Sequence, residues 1–114
     1  MKTLLAAGLS ALAVAASGAA AEAGCKFGPQ ELSGRIPAES LDDTRFFTSD
    51  GKGPLTVTVR SEDRSLLVDV PGHCEPRYAR TVACTAEAVE DEEVYAEIYN
   101  PHDVAVDYRF ICAE

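Results

Sequence analysis

The 114-residue sequence predicts an all-β fold, an antiparallel β-sandwich of six to eight short strands stabilised by disulfides. Three observations predict it. Apolar and polar residues alternate with period two in several separate runs, and no helix-period apolar stripe of useful length occurs. Gly, Pro, Asn and Asp stand between those runs as turn residues. Four cysteines, an even number, follow a segment that reads as an export signal, and in an exported chain they are expected to pair.

Residues 1–23 have the order of a secretory signal peptide: Lys2, an apolar run over residues 4–16, then the small residues 17–21. The run is too short for a hydrocarbon core, which needs about 20 apolar residues, so no membrane span is expected. Cleavage fits after Ala21 or after Ala23, and the second is preferred, giving a single domain over 24–114 that is secreted or periplasmic. Ala23-Gly24-Cys25 also resembles the end of a lipoprotein signal. However, Glu22 stands where an apolar residue is usual, and lipidation of Cys25 would leave an odd number of cysteines.

Removing residues 1–23 takes away one lysine and one glutamate and leaves the net charge at −9. Such a charge repels phosphate backbones, so nucleic acid is not an expected partner. A domain this small buries a modest core and gains from covalent reinforcement. Of the three possible connectivities, Cys74 with Cys84 and Cys25 with Cys112 is favoured, one closing a local loop and the other tying the ends of the domain together. A zinc site of His73, Cys74, Cys84 and His102 is the rival, without the paired C-x2-C spacing that zinc sites favour.

The strands follow in order. Weaker ones are expected at 33–36 and 44–48, and a turn at 50–53 leads into Leu55, Val57 and Val59, which alternate with Thr56, Thr58 and Arg60. Leu66, Val68 and Val70 repeat the pattern until Pro71-Gly72 ends it, and another strand is expected at 79–86. Val94, Ala96 and Ile98 alternate with Tyr95, Glu97 and Tyr99. Beyond Asn100-Pro101-His102-Asp103, a turn sequence, Val104, Val106, Tyr108, Phe110 and Cys112 share one face. A C-terminal β-hairpin is expected there, with Cys112 pointing into the core.

Gly34-Arg35-Ile36, Asp42-Asp43, Phe46-Phe47, the strand Leu55 to Val59, the Tyr95 to Pro101 stretch with its Tyr-x-x-x-Tyr-Asn-Pro pattern, and Tyr108-Arg109-Phe110 together resemble the bacterial pre-peptidase C-terminal domain. The resemblance covers about 80 residues. It implies a jelly-roll-like sandwich that serves as a non-catalytic binding or accessory module, with some calcium-binding relatives. The stretches at 65–70 and 92–94 depart from that family's pattern.

No nucleophile motif, phosphate-binding glycine loop or redox C-x-x-C is present, and the chain is expected not to be an enzyme. Glu97 and Asp107 are expected to face each other across the hairpin as a solvated pair. Calcium is the cofactor to consider, with Asp42, Asp43 and Asp50 and the acidic cluster 90–93 as oxygen donors, although no 12-residue calcium loop exists. The expected function is recognition of a protein or glycan through an outer sheet face carrying Tyr95, Glu97, Tyr99, Asp107 and Arg109. Two alternatives remain: a small inhibitor or accessory subunit presenting the disulfide-closed loop 72–81, with Arg77 and Tyr78 at its tip, and a calcium-binding module.

Overall fold

The computed structural model describes residues 23–27 and 30–112. Residues 1–22 lie outside the described residues, and with them most of the expected signal segment. Eight strands run in the order β1 (Gln30–Ile36), β2 (Ser40–Thr48), β3 (Gly53–Arg60), β4 (Leu66–Val70), β5 (Cys74–Ala79), β6 (Thr81–Ala88), β7 (Glu93–Asn100) and β8 (Val106–Cys112). They form two four-stranded antiparallel sheets, β1-β8-β3-β6 and β2-β7-β4-β5. Every connection except β4 to β5 crosses from one sheet to the other. This is a jelly roll: chain-consecutive strands face each other across the core, and hydrogen-bonded neighbours are distant in sequence.

Alternation builds the core as the sequence predicts. Leu55, Val57 and Val59 of β3 and Val106, Tyr108, Phe110 and Cys112 of β8 point inward from the first sheet. Leu66, Val68 and Val70 of β4 and Val94, Ala96 and Ile98 of β7 answer from the second. The sheets meet where Phe47 lies against Phe110, with ring centroids 4.6 Å apart. Strand β6 buries every second residue as well, and three of the four are small (Cys84, Ala86 and Ala88), so the layers approach closely there.

The C-terminal hairpin is corrected. Strand β7 pairs with β2 and β4, and β8 pairs with β1 and β3, so the segment between them is an arch from one sheet to the other. Two apolar runs joined by a turn bury their faces equally well side by side or face to face, and here they lie face to face. Glu97 and Asp107, expected as neighbours, therefore stand on opposite outer faces of the sandwich.

The 72–81 loop is also corrected. Residues 74–79 form β5, an edge strand paired with β4 through a tight turn in which Gly72 takes a φ of 83°. Its four central residues are exposed, which is why no alternation marks it, and Pro76 suits an edge because it has no N–H to give a further neighbour.

Both expected disulfides are present. Cys74–Cys84 joins β5 to β6 and so fastens one sheet to the other, while Cys25–Cys112 spans 87 residues. Cys25 lies in a short segment laid along residues 48–54: it bridges Ser49, the Lys26 amide donates to the Thr48 carbonyl, and the Ala23 amide donates to the Pro54 carbonyl. Ala23 is buried, so the packed unit includes a residue before the expected boundary at 24.

Candidate functional site

Exposed large apolar side chains concentrate on the outer face of the second sheet. In the strand register Leu41 of β2 stands opposite Tyr99 of β7, Tyr99 opposite Leu67 of β4, and Leu67 opposite Tyr78 of β5. A single row thus crosses all four strands, and each of its members is solvent-exposed, Leu41 and Tyr78 by more than half. A second pair flanks the row: Phe46 is opposite Tyr95, with ring centroids 5.0 Å apart. Neighbouring strands lie about 4.8 Å apart, so the row measures roughly 14 Å end to end.

Polar groups frame this platform. The Tyr95 hydroxyl donates to Glu93 at 2.7 Å, and Asp69 and Glu97 stand opposite each other on β4 and β7. At one end, His102 Nε2 contacts the Ser65 carbonyl at 2.8 Å, which requires a hydrogen on that nitrogen, and lies 3.4 Å from the Tyr78 hydroxyl. His102 therefore buttresses Tyr78.

Of the expected contact residues, Tyr95, Glu97 and Tyr99 share this face. Asp107 and Arg109 do not, because β8 belongs to the other sheet. Tyr78, expected at a loop tip, instead completes the row. Arg77 is exposed beside it on β5. Leu41, Phe46 and Leu67 were missed, since each is an unremarkable apolar residue until the register sets it beside a tyrosine.

The expected calcium donors do not converge. Asp42 and Asp50 are eight residues apart along an extended chain, roughly 25 Å at strand rise. Asp42 is engaged on both oxygens: the Thr44 amide and hydroxyl donate to Oδ1 at 3.1 and 2.9 Å, and the Tyr108 hydroxyl donates to Oδ2 at 2.7 Å. Asp50 accepts the Gly24 amide at 2.8 Å, and Asp43 is exposed. In the 90–93 cluster, Asp91 pairs with Lys26 and Glu92 with His73. Among the described residues no group of three or more His, Cys, Asp or Glu side chains is arranged to hold a metal ion. The zinc alternative loses Cys74 and Cys84 to their disulfide.

One polar cluster lies between the sheets. Tyr108 points inward from β8, and its ring runs directly over Gly34 of β1, where an added Cβ would sit 2.5 Å from Cζ. The space left by glycine lets the hydroxyl reach β2, whose register shifts between Asp42 and Arg45, so that both can meet it. Arg45 Nε donates to the Tyr108 oxygen at 2.8 Å. Burial would raise the Asp42 carboxyl, but the Tyr108, Thr44 and Arg45 donors outweigh it and hold the group below its usual range. Burial, with the Asp42 carboxylate adding to it, pushes the Tyr108 hydroxyl up to about 12.

A pH dependence follows. An unfolded chain releases the tyrosine proton near its ordinary value of 10.0, whereas the folded chain keeps it to about 12. The stabilisation is complete below the lower value and is lost as pH rises through the upper one. Thermal midpoints measured across that window should fall more steeply for the wild type than for Tyr108→Phe, and parallel curves would contradict the assignment.

The chain matches no family model and no curated protein. Solved structures share its architecture. A de novo designed double-stranded β-helix aligns with a TM-score of 0.50 at 8% identity, over 74% of this chain and 99% of that one. A cupin domain from Bordetella pertussis Tohama I aligns with a TM-score of 0.40 at 18% identity, over 75% and 82%. RmlC from Streptococcus suis, in complex with dTDP-D-xylose, aligns with a TM-score of 0.42 at 11% identity, over 75% of this chain and 44% of that one. The pre-peptidase C-terminal resemblance accordingly reduces to a jelly-roll β-sandwich. The expectation that the chain is not an enzyme is withdrawn as well. A missing nucleophile motif tests one kind of chemistry only, so what these comparisons establish is the fold, a jelly roll of the double-stranded β-helix type.

Proposed function

We propose that this chain is an exported recognition module that docks a protein partner on the outer face of its second sheet. The observation that carries the reading is the register row Leu41–Tyr99–Leu67–Tyr78, continuous across four strands and flanked by Phe46 and Tyr95. Aromatic side chains on a rigid face supply contact area with little entropy to lose, and interface hot spots are enriched in tyrosine. Two exposed leucines in the same row favour a protein over a glycan, since sugar rings stack on aromatic planes and gain little from an aliphatic branch. Export is supported by the signal-like order of residues 1–23 and by two disulfides in a small domain.

A photo-crosslinking residue at position 67 tests the reading, with the same residue at position 85, on the opposite outer face, as control. In cells, position 67 should give a discrete protein adduct that position 85 does not, and Tyr99→Ala should reduce its yield about tenfold or more, as loss of a central anchor does. Equal labelling from both positions, no adduct at all, or an adduct of glycan alone would each overturn it.

A further inference from the structure

The opposite outer face carries a different chemistry. Strand register sets Ser33 of β1 beside Arg109 of β8, and Arg109 beside Arg60 of β3. Like charges directly opposite each other on neighbouring strands are destabilising, and in a chain of net charge −9 nothing about solubility asks for them. Arg109 is partly compensated by Glu62 at 2.9 Å and Glu31 at 3.5 Å. Arg60 makes no ion pair among the described residues, and Arg35 is held by Asp107 at 2.7 and 3.2 Å. Ser33, Arg35, Arg60, Glu62, Asp107 and Arg109 line a concave depression of about 490 Å³, a volume within the range of small-molecule sites. Three guanidinium groups meet the carboxylates of Glu62, Asp107 and Glu31, so charge is balanced there on an otherwise acidic molecule, and Arg60 is the guanidinium left to a ligand.

We infer that this depression binds a hydroxylated carboxylate, of which a uronic acid unit of an acidic saccharide is the sugar form. The fork of Arg60 suits a planar carboxylate, which can accept two parallel N–H bonds from it, while Arg109, engaged by Glu31 and Glu62, adds its charge alongside. Glu62 and Asp107 retain free lone pairs beside the arginines. They accept bonds from ligand hydroxyls, and they repel a second negative charge, which disfavours phosphate. Ser33 adds a small hydroxyl at the β1 side. The site is independent of the aromatic platform, being on the other sheet.

Isothermal titration of the purified mature chain with a glucuronate oligomer, its methyl ester and inorganic phosphate tests the inference. The uronate should bind, and the ester, which removes the charge and blocks one carboxylate oxygen with a methyl group, should bind about tenfold or more weakly. Arg60→Ala, at an exposed position, should cost a similar factor without lowering the thermal midpoint, whereas Thr85→Ala on the same face and Tyr99→Ala on the other should leave binding intact. Equal affinity for the ester, tighter binding of phosphate, indifference to Arg60→Ala, or no heat at millimolar uronate would each overturn it.

Discussion

Replacing Cys25 and Cys112 together with alanine should lower the unfolding free energy by roughly 4.5 kcal/mol, against about 3 kcal/mol for the Cys74 and Cys84 pair, because loop-closure entropy grows with the number of residues enclosed. The two bridges span 87 and 10 residues. Domains of this size hold about 5–15 kcal/mol in total, so the first variant sits near the edge of folding and the second does not. The larger bridge also ties β8 of the first sheet to the segment beside the end of β2 in the second: Cys112 is fully buried at the end of β8, and Cys25 bridges Ser49 in the segment that leads to Ala23. Urea unfolding of both variants under non-reducing conditions checks this. If the Cys74 and Cys84 variant proved the weaker, the fastening of β5 to β6 would outweigh chain entropy, and the ordering argued here would be wrong.

The same comparison marks how much was readable from the residues. Pairing of the four cysteines followed from order and compartment, and Cys112 could be placed in the core because it alternates with Phe110 and Tyr108. Seven of the eight strands follow directly from alternation or its neighbourhood, since a sandwich strand has one buried face and one wet one. Alternation names the buried face but not the sheet. Asn100-Pro101 therefore suggested a hairpin, when the apolar faces of β7 and β8 in fact oppose each other across the core. Strand β5 left no trace because an exposed edge strand has no side that must be apolar. The aromatic row was hidden for a related reason. Leu41, Leu67, Tyr78 and Tyr99 are scattered over the chain, and only the register of three strand pairs lines them up.

Asn100 shows the limit from the other direction, for a turn residue was expected and a structural plug was found. Its side-chain carbonyl accepts the His102 amide at 2.9 Å, which is the turn-opening role. Its Nδ2 donates to the carbonyls of Ile36, Pro37 and Val104 at 3.1, 3.1 and 2.8 Å, joining the end of β1 to the arch between β7 and β8 while wholly buried. Asn100→Ala should therefore cost about 1–3 kcal/mol, since the Ile36 carbonyl is left without that partner in the interior while those of Pro37 and Val104, on exposed residues, can turn to water. Asn100→Asp is nearly isosteric but replaces that donor with an oxygen that faces three acceptors. Burial and those carbonyls favour its neutral form, so its folded-state pKa rises, and its stability relative to wild type should improve as pH falls and worsen as pH climbs toward neutrality. Urea unfolding of both variants at acid and neutral pH measures this. A loss under about 1 kcal/mol for Asn100→Ala would mean that the arch is held by the packing of β7 against β8 and not by the amide at its base.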